Sequence, residues 1–180
     1  MPSLPSPVYN LPMKNIILIG MPGSGKSTLG VILAKALGWD FVDMDLLIQQ
    51  REGRLLQDIL QSEGYLALRA CEEDALLTLR GDRQVIATGG SAVYSYRGME
   101  HLKNLGKILY LQASPDTLKK RVTNWGIRGI AAPPGTSLER LYSERTELYE
   151  KYAQSTIPVD DATQEKLVET ILFLLNEPLI

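Results

Sequence analysis

Residues Asn15 to Ser27 read NIILIGMPGSGKS, and the order of residue types in this stretch decides the architecture. Asn15–Ile19 is a short apolar, β-branched run of the kind that lies buried in a parallel sheet. It ends in Gly20-Met-Pro-Gly-Ser-Gly-Lys26-Ser27, which satisfies the pattern GxxxxGK[ST]. Beyond it Leu29, Ile32, Leu33, Ala36 and Leu37 recur at helical spacing, and Gly38 stands where a helix C-cap belongs. A polyphosphate site requires strand, glycine loop and helix in this order. The glycines let successive N–H groups turn inward around the phosphates, and the helix N-terminus adds partial positive charge. Lys26 can reach the β- and γ-phosphates of a nucleoside triphosphate, and the Ser27 hydroxyl can ligate Mg²⁺. Gly23, Ser24, Gly25, Lys26, Ser27 and Thr28 form the expected nucleotide-binding set. A glycine turn that merely carried a lysine would need neither the strand before it nor the amphipathic helix after it.

Outward from this stretch, strands and helices alternate. Trp39–Asp43 (WDFVD) reads as a second strand, followed by helical pattern from about Leu46 to Leu79 with breaks at Gly53 and Gly64. Gln84–Thr88 (QVIAT) is a third strand ending in Gly89-Gly90, and Lys107–Gln112 (KILYLQ) is a fourth. Ser114-Pro115-Asp116 offers a capped helix start with proline in the first turn. Thr156–Asp160 (TIPVD) is a weaker fifth strand whose proline favours a sheet edge, and a last helix spans about Gln164 to Leu175. The expected fold is α/β, a three-layer sandwich with a five-stranded parallel sheet flanked by helices. Residues 1–14 begin with a proline-rich stretch and are expected to form a flexible arm, and residues 15–180 a single domain. Within it, about 124–136 carries glycines and prolines and is expected to be a mobile lid.

Composition narrows the function classes. A chain of 180 residues buries roughly 70% of its unfolded surface, enough for one core. Nineteen basic residues against 21 acidic ones give a net charge of −2, which leaves no surplus to drive generic binding to nucleic acid or anionic lipid. The apolar runs fall far short of the ~20 residues that span a bilayer, so no membrane association is expected. Cys71 has no partner for an internal disulfide, and the single His101 makes no His/Cys zinc site. No signal-peptide pattern is present, so a cytoplasmic location is expected; a monomer is the expected state.

The remaining chemistry lies at strand ends. Asp43-Met44-Asp45 falls at the edge of the second strand that faces the glycine loop in a doubly wound sheet. One acid can hold a metal-bound water while the other accepts a proton from an acceptor hydroxyl. Alternatively, Asp45 simply caps a helix starting at Leu46. Arg69 could pair with Glu72 and Glu73 on a helix surface, and Arg145, between Glu144 and Glu147, could lie on a solvated face. Otherwise the two guanidiniums could grip one planar anion. Gly89-Gly90 could be an ordinary turn or could present bare N–H groups to a substrate.

No NKxD guanine reader occurs, which argues against a GTPase, and the chain is short for a transporter or motor ATPase. In order and spacing, from Asn15 to the C-terminus, the segments GMPGSGKSTLG, DMD, EGYLALRACEEDAL, VIATGG and SERTELYEKYA together resemble the shikimate kinases, a branch of the nucleoside monophosphate kinase-like fold. The resemblance implies phosphoryl transfer from ATP to shikimate, with Mg²⁺ near Ser27 and Asp43. It implies Lys26, Asp45 and Arg128 as catalytic residues, with Arg128 also on the ATP phosphates from the lid. It further implies that Asp45, Arg69, Gly89, Gly90 and Arg145 hold the substrate, with the two arginines on its carboxylate. Three positions depart from the family pattern: Ser91 replaces a third glycine, the lid stretch NWGIRGIAAPPG lacks an Arg-Pro pair, and Glu147 replaces a proline. A kinase for another hydroxy acid, or a nucleotide-dependent switch, are the alternatives. ADP release that depends on a small acceptor separates kinase from switch.

Overall fold

The computed structural model describes residues 14–122 and 129–176. Five parallel strands, β1 (Asn15–Ile19), β2 (Asp40–Asp43), β3 (Gln84–Ala87), β4 (Lys107–Gln112) and β5 (Ser155–Pro158), form one sheet in the order β2-β3-β1-β4-β5. Among the described residues eight α-helices accompany them: α1 (Lys26–Leu37), α2 (Met44–Glu52), α3 (Leu56–Glu63), α4 (Tyr65–Thr78), α5 (Tyr96–Leu105), α6 (Pro115–Arg121), α7 (Leu138–Tyr152) and α8 (Gln164–Asn176). The sheet order reverses direction at β1, so the crevice beyond the carboxyl end of β1 lies between β3 and β4, where a doubly wound sheet binds its ligand.

Each element follows from local chemistry. Ile16, Ile17, Leu18 and Ile19 are wholly buried, as expected of a central strand covered on both faces. Gly38 closes α1 at φ 65°, and its N–H bonds back into the last turn. The Ser114 hydroxyl accepts the Thr117 N–H at the start of α6, with Pro115 at the first helical position. Pro158 lies in β5, which pairs only with β4, so its missing N–H faces no strand. Helix α1 packs on β1, β2 and β3 and against α8, whereas α4 packs with α2, α3 and α5.

Helices α5 and α7 were not among the elements expected from the sequence. Each has a narrow buried stripe: Gly98, Met99 and Leu102 in α5, and Leu141, Arg145 and Tyr149 in α7. His101 is structural, its Nε2 lying 3.0 Å from the Leu79 carbonyl. Among the described residues no helix is long and apolar enough to cross a membrane. The expected arm, but for Lys14, lies outside the described residues, as do the first residues of the expected lid with Arg128.

Candidate active site

The glycine loop wraps tightly because its backbone enters regions that only glycine enters cheaply: φ is 85° at Gly23 and 97° at Gly25, the N-cap of α1. The Lys26 ammonium folds back into the loop and donates to the carbonyls of Gly20 at 2.8 Å and Met21 at 2.9 Å. Burial drives its pKa down to about 8, against the opposing pull of Asp45. Ser27 and Thr28 are exposed on the first turn of α1, while Ser24 is buried beneath the loop.

At the end of β2 the two acids divide in an unexpected way. Asp43 Oδ1 accepts the N–H groups of Asp45, at 3.0 Å, and Leu46, at 3.4 Å. The cap of α2 is therefore Asp43 and not Asp45, because the helix starts at Met44, ahead of the apolar pattern at Leu46. That leaves the Asp45 side chain on the first turn of α2, where it lines the cavity beside the loop.

Arg69 and Arg145 are not surface partners of their neighbouring glutamates. Arg145 is 1% exposed at the centre of the inward stripe of α7. Its Nη2 donates to the Ala131 carbonyl at 3.1 Å, and Arg69 donates to the same oxygen through Nε at 3.2 Å and Nη2 at 3.0 Å. Tyr94 supports both guanidiniums, with Arg69 3.6 Å and Arg145 5.4 Å from the ring centre. Glu73 turns away to Ser95 and Arg97, and Glu72 is buried, accepting a hydrogen bond from Ser91. Burial, reinforced by Asp45, raises the Glu72 pKa to about 7 against the pull of Ser91 and the two arginines.

The glycine turn after β3 sits between these groups. A Cβ at Gly89 would collide with the Glu72 carboxylate, and one at Gly90 would lie 2.8 Å from Arg145 Nη1 and from Pro22 Cδ. The Tyr149 hydroxyl donates to the Gly90 carbonyl at 2.6 Å and holds the turn from below.

A cavity of about 520 Å³ brings together Gly23, Gly25, Lys26, Ser27, Thr28, Asp45, Gly90 and Arg145. Ser24, Asp43 and Gly89 are chain neighbours of its lining residues without lining it, and Arg69 lines two other cavities while reaching the carbonyl of Ala131, which lines this one. Ser91, noted in the sequence as replacing a third glycine, lines the main cavity, as do Thr88, Arg121 and Gln164, which the sequence did not single out. Arg121 closes the basic run Lys119-Lys120-Arg121 at the end of α6, a signal that the sequence does carry. Among the described residues no three His, Cys, Asp or Glu side chains cluster to enclose a metal. The oxygen donors beside the loop include the hydroxyls of Ser27 and Thr28 on the first turn of α1 and the carboxylates of Asp43 and Asp45 where β2 gives way to α2. Such a sparse, all-oxygen set fits Mg²⁺, which keeps several waters and takes phosphate oxygens.

A family model for shikimate kinase matches residues 22–176. The chain belongs to the shikimate kinase family. It is 36% identical over 163 residues to a shikimate kinase of Sulfurihydrogenibium sp., covering 89% of this chain and 96% of that one. It is 37% identical over 163 residues to a shikimate kinase of Thermodesulfovibrio yellowstonii, covering 89% and 94%. The structure of the Acinetobacter baumannii shikimate kinase in complex with shikimate superposes with a TM-score of 0.80 at 31% identity, covering 91% and 93% of the two chains. A deoxyadenosine kinase of M. mycoides, at 17% identity and a TM-score of 0.55, shares the kinase fold alone. The expected α/β sandwich is thus the fold of this shikimate kinase family member.

Proposed function

We propose that this kinase transfers the γ-phosphoryl group of ATP to a hydroxyl of shikimate, giving ADP and shikimate 3-phosphate, through the residues described above. The observation that carries this reading is the convergence of Arg69 and Arg145 on one oxygen beside the phosphate-loop cavity. Two guanidiniums held on an aromatic face fit a planar carboxylate, and Asp45 fits an acceptor's hydroxyls.

The loop N–H groups of Gly23, Ser24, Gly25, Lys26, Ser27 and Thr28 cradle the ATP phosphates. Lys26 exchanges the Gly20 and Met21 carbonyls for phosphate oxygens and neutralises charge that develops on the transferred group. Ser27, and Asp43 through water, would hold Mg²⁺, which supplies neutralisation of the phosphate oxygens. Asp45 orients the attacking hydroxyl and accepts its proton, while Gly89 and Gly90 allow the acceptor close to backbone. Arg128 is assigned to the phosphates from a lid spanning 124–136 as the one arginine in that stretch, where the family carries an Arg-Pro pair. The kinase is assigned as a monomer, and its lone, partly buried Cys71 suits the cytoplasm.

The test is kcat/KM for shikimate and for its uncharged methyl ester in wild type, Arg69→Lys and Arg145→Lys. Lysine cannot reproduce the bidentate fork, so each variant should lose about 1.5–3 kcal/mol, or roughly 10- to 200-fold, on the acid. ATP affinity should hardly change. Equal use of acid and ester by wild type would reject the carboxylate clamp, and turnover of another hydroxy acid alone would reassign the acceptor.

A further inference from the structure

Ser91 stands where the family carries a third glycine, so its hydroxyl is an addition of this chain. The residue is 6% exposed, and the hydroxyl donates to Glu72 Oε2. Ser91 lines the main cavity together with Arg145. It also lines a second cavity of about 300 Å³ together with Glu72 and Arg69. Glu72 lines the second cavity and not the main one, and Ser91 stands between the two.

Charge alone would place Glu72 elsewhere. It follows Arg69 by three residues on α4, a spacing at which acid and base meet on one helix face. Arg145 is close as well, across the glycine turn: Glu72 backs onto Gly89, and Arg145 Nη1 lies 2.8 Å from where a Cβ on Gly90 would stand. A buried carboxylate is stabilised most by a cation beside it. Yet among the described residues Glu72 forms an ion pair with neither arginine. Its hydrogen-bond partner is the Ser91 hydroxyl, and both guanidiniums turn to the neutral Ala131 carbonyl instead.

We propose that Ser91 is a positioning residue for the acceptor site: its hydroxyl pins the Glu72 carboxylate in the second cavity and keeps this internal anion off Arg69 and Arg145. A hydroxyl bond to an ionised carboxylate is charge-assisted, strong enough to fix which way the side chain turns. Without it the Glu72 carboxylate swings to the guanidiniums, and an incoming carboxylate must displace it. The fraction of molecules ready for the acceptor then falls, and the apparent affinity falls with it. The nucleotide side is spared, because Lys26 is tied to Gly20 and Met21 and not to this pair.

The inference rests on the carboxylate-clamp reading above, and the experiment separates the two. At pH 8, above the value of about 7 at which Glu72 gives up its proton, kcat and the KM values for shikimate and ATP are measured in wild type, Ser91→Ala, Ser91→Gly, Glu72→Gln, the double variant Ser91→Ala/Glu72→Gln, and Arg145→Lys. Ser91→Ala and Ser91→Gly should each raise the KM for shikimate about three- to tenfold, the scale of one hydrogen bond, and leave kcat and the KM for ATP within about twofold. In the Glu72→Gln background the same loss of the hydroxyl should move the KM for shikimate less than about twofold, because an amide brings no charge to the arginines. An unchanged KM for shikimate in either single Ser91 variant overturns the positioning role. So does an equal rise in the Glu72→Gln background, which would mean that Ser91 does not act through Glu72. A loss spread equally over kcat and the KM for ATP overturns it too, as the mark of a disturbed glycine turn. In all three cases Arg145→Lys still weakens shikimate and the clamp stands. Shikimate kinetics that ignore Arg145→Lys overturn the clamp itself and the role of Ser91 with it.

Discussion

Lys26 sits in the loop as a charge taken out of water, tied to two carbonyls and depressed to about 8 by its burial. A protein that needed only a stable loop would gain nothing from this, so the charge is there for the phosphates. Lys26→Met should therefore fold and melt no lower than wild type, yet lose ~10²–10³ in turnover, as measured by coupled ADP release alongside thermal unfolding. Near-wild-type turnover in the folded variant would remove Lys26 from the chemistry. This residue was legible in the sequence because its partners, Gly20 and Met21, lie within six positions of it. The partners of Glu72 and Arg69 were not legible in the sequence, because local spacing offered each the other as an ion-pair alternative. Their actual partners are 19 and 62 residues away, at Ser91 and Ala131. Asp45 was read as a possible cap for the opposite reason: two carboxylates one residue apart can both reach a helix start, and only the position of the first turn chooses Asp43.

At the level of elements, the strands were legible because each is an apolar run bounded by glycine or proline, and buried parallel strands leave that mark. Helix α7 was not, because the middle place of its inward stripe Leu141, Arg145, Tyr149 is taken by a guanidinium, which breaks the apolar period where the site needs charge. One polar residue inside the sheet acts in the opposite sense, for stability alone. Asn15, fully buried at the start of β1, donates to the carbonyls of Gly81 at 2.9 Å and Leu105 at 3.1 Å and accepts the Gln84 N–H at 2.9 Å. It ties the entries of β1 and β3 to the end of α5, at the sheet end away from the phosphate loop. Asn15→Leu would strand three backbone groups and should cost about 2–4 kcal/mol in urea unfolding. The folded fraction should keep its kcat/KM; a variant as stable as wild type would show that water or backbone shifts satisfy those groups instead.

Across the whole molecule, two buried ionisable groups of opposite sign stand in one site, and together they shape stability against pH. Glu72 binds its proton more tightly folded than unfolded, at about 7 instead of 4.5. Its contribution is therefore fully present below pH 4.5 and is lost as pH rises toward 7. Lys26 behaves in reverse: its folded value of about 8 lies below 10.5, so its contribution is present above pH 10.5 and is lost as pH falls toward 8. Each shift corresponds to about 3 kcal/mol at full extent, an order-of-magnitude figure because the two groups also feel Asp45 and Arg145. Between pH 7 and 8 both penalties stand together, with Glu72 charged and Lys26 charged, and this is the state in which a carboxylated acceptor and a polyphosphate would find the site. The unfolding free energy of wild type minus that of Glu72→Gln should fall between pH 5 and 7 and then level. The same difference against Lys26→Met should be level to pH 8 and rise from there to pH 10. Parallel curves for wild type and Glu72→Gln across pH 5–7 would mean that Ser91, Arg69 and Arg145 keep Glu72 ionised throughout. The Ser91–Glu72 bond would then be a fixed charge-assisted hydrogen bond, insensitive to pH across that range.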